Sequence, residues 1–255
     1  LARSERAFRT PAIILKRRDF NEADRLLTVL TPGHGKIDII AKGARKPTST
    51  KTGHVELFTR ADMLVHKGRD FGIVSQAEMV MPYLPLRDDL QLGAYASYAA
   101  ELVDRFTGQD DDDQRHVFDL LDHTLHRLCT EPDSRLVMRY FEVQLLGLVG
   151  FQPDLNACVV GREPVMPEDQ YFSYAEGGII CPRHVVKMGH VIPIPMVTLK
   201  LLRHLQRSPF SQVRPLQVAP NLHEDAERIL LGYITYLLER RLQSVEFIRL
   251  LQQGK

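Results

Sequence analysis

Two groups of residues in this chain have types and spacings that could do chemistry. The larger is cationic: Lys16, Arg17, Arg18 and Arg25 lie close together, and Lys36, Lys42, Arg45, Lys46 and Lys51 follow. From Lys36 to Arg60 only Asp38 and Glu56 supply counter-charge. Phosphate contacts need forked or mobile cations, and a glycine such as Gly43 lets the main chain approach too. The smaller group is metal-like. Cys158 precedes Cys181-Pro182-Arg183-His184, and a structural zinc site commonly joins two CxxC or CxxH pairs. The second pair is present, but the residue three after Cys158 is Gly161. Cys158, Cys181 and His184 therefore make an incomplete site, with Glu163 and His190 as the nearby groups able to fill the fourth place.

Catalytic patterns are absent. The chain has no GxxxxGK[ST] phosphate loop, no GxGxxG, no HExxH and no GxSxG. The run Asp110-Asp111-Asp112-Asp113 could suggest a metal-dependent nuclease. Four adjacent carboxylates in a loop point in different directions, so a solvated linker or a helix cap is the expected role. His116, His123 and His126 recur along one helical stretch without an identifiable nucleophile or orienting acid. The chain is expected not to be an enzyme.

The elements that must position these groups change character along the chain. Runs at 12–15, 26–30, 36–41, 55–66 and 71–80 read as five strands, with Thr31-Pro32-Gly33-His34-Gly35 as the tightest turn. Five strands in so short a module fit a small closed barrel of the OB type, with an SH3-like barrel as the rival. After Pro82 and Pro85 helical spacing takes over at 90–106, 114–129 and 135–148, and again at 196–206 and 223–242. Residues 151–195 show little periodicity. The expected fold class is α+β multidomain: an N-terminal OB-fold β-barrel over 1–82, then an α-helical domain over 83–255. An irregular insert at 152–192, like a degenerate zinc finger, interrupts the second.

Charge is segregated. Residues 1–80 carry 15 Lys or Arg against 9 Asp or Glu, residues 81–150 carry 6 against 13, and the remainder 12 against 10. A basic module ahead of an acidic one points the barrel at a polyanion. Among its aromatic residues, Phe58 and Phe71 lie between apolar strand residues and read as core, while Phe20 reads as an exposed strand end. With Trp absent, the barrel reads as a backbone binder rather than a base reader. Three cysteines cannot form a disulfide framework, and neither a signal peptide nor a membrane-spanning run is visible. A cytoplasmic, nucleoid-associated location away from membranes is expected.

The order of parts resembles a known family. Thr10-Pro11-Ala12-Ile13-Ile14-Leu15-Lys16 leads into Asn21-Glu22-Ala23-Asp24-Arg25, then Leu30-Thr31-Pro32, Gly35-Lys36 and Ala41-Lys42-Gly43-Ala44-Arg45. Together with Arg139-Tyr140-Phe141-Glu142, Gly150-Phe151-Gln152-Pro153, Gly177-Gly178 and Leu237-Leu238-Glu239, this resembles the RecO family of bacterial recombination mediators over nearly the whole chain. The resemblance implies a protein that binds single- and double-stranded DNA and anneals complementary strands. It also implies action with RecR, and functionally with RecF, to help RecA replace the single-stranded DNA-binding protein. The acidic C-terminal tail of that protein would dock on the helical part, where Arg135, Arg139, Arg203 and Arg207 are the candidate cations. Many members carry four cysteines at the zinc loop; this chain departs at Gly161 and His184. No cofactor is required by the resemblance, and zinc is the one metal it allows. The rival reading is a protein adaptor that does not bind DNA and whose helical domain recruits repair partners.

Overall fold

The protein was analysed as a computed structural model, which describes residues 7–46, 49, 52–109, 113–238 and 248. These fall into two compact units, divided after Glu131.

The first unit is built on β1 (Ala7–Phe20), β2 (Asp24–Thr31), β3 (Gly35–Ala41), β4 (Arg60–His66) and β5 (Gly72–Met81), closed into a barrel in the order β1-β2-β3-β5-β4. One long strand makes closure possible. The N-terminal half of β1 pairs with β4, its C-terminal half pairs with β2, and a register shift falls between Ile14 and Lys16. An irregularity of this kind bends a strand and lets it serve both sides. The interior is filled by residues such as Ala12, Ile14, Leu27, Val29, Ile39, Met63 and Val65, all essentially inaccessible. Burying a side chain of that size stabilises by about 1.5–3 kcal/mol.

One sequence expectation moves here. The fourth strand starts at Arg60 rather than near 55, because 52–54 form a 3-10 turn and Phe58 takes a positive φ of 63°. Phe58 itself is buried, as its apolar setting implied. β3 and β5 run parallel and pair only at Ile39–Gly72 and Ile40–Ile73.

The same unit holds the short α1 (Pro85–Asp88), α2 (Leu90–Phe106) and α3 (Arg115–Thr130). Asp89 caps α2, its carboxylate accepting from the N–H groups of Gln91 and Leu92. α3 begins instead after Gln114, which makes no side-chain cap. Asp113 accepts from the Arg115 guanidinium, and Asp110, Asp111 and Asp112 lie outside the described residues.

The second unit contains α4 (Ser134–Leu148), α5 (Met196–Arg207), the short α6 (Phe210–Val213) and α7 (Pro220–Leu238). Between α4 and α5 the expected irregular insert is partly regular: β6 (Gln170–Ser173), β7 (Gly178–Ile180) and β8 (Ile192–Ile194) form an antiparallel sheet in the order β7-β6-β8. Strands of three or four residues leave almost no alternation to read. Phe172 of β6 packs edge-on against Tyr233 of α7, with ring centroids 5.5 Å apart.

Candidate nucleic-acid interface and metal site

The barrel cations are arranged around two shared carboxylates. Asp104 of α2 accepts from Lys16 Nζ at 2.5 Å and lies 3.3 Å from Lys36 Nζ. Glu56 takes Arg25 Nη1 at 2.8 Å and also pairs with Arg17. Each carboxylate thus serves two cations, and each cluster keeps an excess positive charge. Half-burial pushes the Asp104 carboxyl up, but the lysines outweigh it and hold it below the ordinary carboxylate range. Lys16 is 55% exposed in its side chain. Its ammonium is therefore open to solvent, and a phosphate can replace the carboxylate as its partner.

The loop after β3 is fixed by its main chain while its cations stay outside. Gly43, at φ 69°, donates its N–H to Asp24 Oδ1 at 2.8 Å, and Arg45 N–H donates to Ala23 O at 2.9 Å. That N–H of Gly43, ahead of Asn21 and the nearby Lys42 and Lys46, keeps the Asp24 carboxyl low despite some burial. Arg45 reaches Asp19 at 3.3 Å. Arg18, Lys42 and Lys46 are exposed and have no ion-pair partner among the described residues. Lys51 lies outside the described residues.

Four of these cations converge. Lys16, Arg17, Arg18 and Lys36 line a cleft of about 580 Å³ together with Asp38, Asp104 and Gln109.

In the second unit the metal-like residues meet. Sγ of Cys181 lies 3.1 Å from His184 Nδ1 and 3.1 Å from Glu163 Oε1, and Cys158 Sγ lies 3.4 Å from the same imidazole nitrogen. Donor atoms of Cys158, Glu163, Cys181 and His184 all lie within 4.8 Å of one another. Ligands around a tetrahedral zinc are spaced by roughly 3.3–3.8 Å, so this donor set fits zinc with little adjustment. Glu163 supplies the fourth ligand position that the sequence left between it and His190, which is exposed. The reason is steric. A Cβ on Gly161 would stand 1.9 Å from Glu163 Oε2, so the carboxylate occupies the space a side chain at 161 would need. The Cys158 thiol is brought down to about 7: burial raises it, and the N–H groups of Cys181 and Gly161 with His184 more than offset that.

The arginines named for a partner surface differ from one another. Arg139 is buried, not on a helix surface; it holds the fully buried Glu142 at 2.8 Å and Glu227 at 3.3 Å. Arg135 is 3.8 Å from Glu227. Arg203 donates Nε–H to Leu155 O at 2.7 Å, and burial lowers its pKa. Arg207 is exposed at the end of α5.

Comparison with known proteins agrees with this layout. Residues 6–83 match the family model described as Recombination protein O N terminal, and residues 87–246 match Recombination protein O C terminal. The chain belongs to the RecO family. It is 36% identical over 244 residues to the DNA repair protein RecO of Roseiflexus sp., covering 96% of this chain and 86% of that protein. Its identity to the DNA repair protein RecO of Desulforamulus reducens is 34% over 241 residues, covering 94% and 93%. The corresponding protein of Pelotomaculum thermopropionicum is also 34% identical over 241 residues, with the same coverages.

Within this RecO chain the residues that sequence reasoning missed are acids and amides. Asp104 and Gln109 come from the module whose negative charge had separated it from the barrel, yet both line the basic cleft. No spacing rule could find Asp104, which lies 88 positions from Lys16. Among the described residues no helix is long and apolar enough to cross a membrane.

Proposed function

We propose that this RecO-family protein binds single- and double-stranded DNA through the barrel, anneals complementary strands, and acts with RecR to help RecA replace the single-stranded DNA-binding protein, with RecF as a functional partner. The observation that carries the reading is the array of doubly shared and unpaired cations on one barrel, in a chain of a DNA repair family. Annealing requires no covalent step. It requires phosphate charge on two strands to be neutralised so that base pairing can proceed, and cations already beside a shared carboxylate can exchange it for phosphate. The acidic tail of the single-stranded DNA-binding protein would dock on the second unit through Arg207, Arg203 and Arg135, with the buried Arg139 holding Glu227 beside Arg135. Zinc at Cys158, Glu163, Cys181 and His184 would cross-link the two knuckles that carry those residues, a structural role.

Fluorescence annealing of two complementary oligonucleotides across a salt series, with and without a coat of single-stranded DNA-binding protein, tests the main reading. Acceleration that fades with salt and needs no nucleotide is expected. No acceleration and no DNA binding would leave the adaptor. Zinc is tested by metal analysis of the purified protein. One ion per chain is expected, with loss in Cys181→Ser and retention in Gly161→Cys/Glu163→Ala, which moves the fourth ligand back to position 161.

A further inference from the structure

Next to the basic cleft lies a second one that phosphate chemistry does not explain. β3 pairs with β5 at only two positions, so among the described residues Gly35 to Asp38 has no neighbouring strand on that side. The gap is a cleft of about 520 Å³, bounded by β3, the start of β1 and the turn between β4 and β5. Aromatic rings stand in its walls. Phe8 and His34 stack with centroids 3.9 Å apart and planes tilted by 38°. Phe71 lines the cleft from the β4–β5 turn and braces edge-on against Phe20 at 6.2 Å. Phe71 is half-buried rather than enclosed, contrary to its expected place in the core. The floor is closed at Gly72, where a Cβ would lie 2.8 Å from Val65 Cγ1, so the backbone there sits directly on the apolar interior.

The two clefts are continuous in composition. Lys36, Asp38 and Gln109 line both. A strand whose phosphates lie along Lys16, Arg17 and Arg18 therefore has an aromatic-walled recess beside it, at the distance of a shared side chain. The polar groups at the junction suit a base edge. Asp38 Oδ1 accepts from Thr28 Oγ1 at 2.6 Å and Oδ2 lies 3.4 Å from Gln109 Nε2, a weak contact that a base can replace.

We propose that this recess takes one unpaired nucleobase, stacked against the Phe8–His34 pair or Phe71, and so adds to single-strand binding a contact that duplex cannot make. The inference rests on the DNA-binding reading above and adds base recognition to it. A paired base cannot enter, because its edge and both faces are already occupied in the duplex; an unstacked one can, and stacking is tolerant of base identity.

The test separates bases from phosphates. The intact protein is titrated with an oligothymidylate, with an abasic strand of the same length and with a duplex, at one salt concentration. The wild type is expected to prefer the base-bearing strand over the abasic one by about tenfold, within the usual range for one base stacked on an aromatic side chain. Phe71→Ala and His34→Ala should each reduce that preference and leave duplex affinity within about twofold, and Phe71→Trp should restore it. A thermal melt confirms that the variants fold. Equal wild-type affinity for the base-bearing and abasic strands would overturn the recess while leaving the phosphate-binding reading intact. So would equal losses on single strand and duplex in Phe71→Ala. Absence of binding to any strand would overturn both.

Discussion

Both units of this protein place arginine or lysine beside aspartate or glutamate, and the two arrangements serve different ends. In the barrel two pairs keep more than a third of the cation side chain exposed, Lys16 with Asp104 and Arg45 with Asp19, while Arg25 and Lys36 are 17% and 12% exposed. In the second unit Arg139 and Glu142 are 5% and 0% exposed in their side chains. Exposed pairs cost little to break, so their cations remain available to another anion. A buried pair is committed, because separating it would strand a charge in an apolar interior. The charge count of a segment therefore says less than the exposure of each charge.

The largest effect should come from breaking the buried pair. Arg139→Ala removes the guanidinium that pairs with the buried Glu142 and is expected to lower stability by about 3–5 kcal/mol in urea unfolding. Arg139→Met with Glu142→Leu should recover most of that loss. If Arg139→Ala costs no more than a surface substitution, the contrast between the units fails.

Next, Arg18→Ala/Lys42→Ala/Lys46→Ala removes three barrel cations that have no carboxylate partner among the described residues. Stability should hardly change, while the slope of log affinity against log salt for single-stranded DNA should flatten by about 2. Quadruple replacement of Lys42, Arg45, Lys46 and Lys51 by Ala should weaken binding to all sequences alike. An unchanged salt slope would place the DNA elsewhere.

Asp104→Asn sharpens the comparison from the acidic side. It frees Lys16, whereas Lys36 is 12% exposed and still donates to the Asp104 main-chain oxygen; DNA binding should tighten, with the salt slope for single strands steeper by about 0.7. Weaker binding would mean that Asp104 positions the lysines rather than competing with phosphate.

The smallest effect is a pH dependence confined to the second unit. His223 donates Nε2–H to Asp133 Oδ2 at 3.1 Å, Asp133 being the N-cap of α4, and its Nδ1 is buried without a partner among the described residues. Burial lowers its pKa below the ordinary 6.5, although Asp133 opposes this; Arg135 and Arg139 add to the lowering. The unfolded chain then binds the proton more readily than the folded one, so stability declines as pH falls below 6.5. That decline should disappear in His223→Gln when urea midpoints at neutral and mildly acidic pH are compared.

Much of this was legible in the chain. The turn at Thr31 to Gly35, the alternating runs around it and the long helical spacings gave the barrel and the major helices, because those signals are local. Cys181 and His184 announced a knuckle by spacing alone. The three short strands of the insert were not legible, since each is stabilised by its neighbours and by Phe172 packing on Tyr233 rather than by its own pattern. Phe71 was read as core from its neighbours, but the break in β3–β5 pairing sets its exposure.

The sequence by itself determined the family, the order of barrel and helices, the positions of the cations and three of the four metal-type ligands, because periodicity, turn chemistry and spacing act over a few residues. Only the tertiary structure decided which cations share a carboxylate, that Glu163 fills the space left by Gly161, that Arg139 is interior and that Phe71 faces a cleft. The shared carboxylates depend on groups brought together across 39 positions for Arg17 and Glu56 and 88 for Lys16 and Asp104. Electrostatics and packing respond to distance in space, which separation along a chain does not encode.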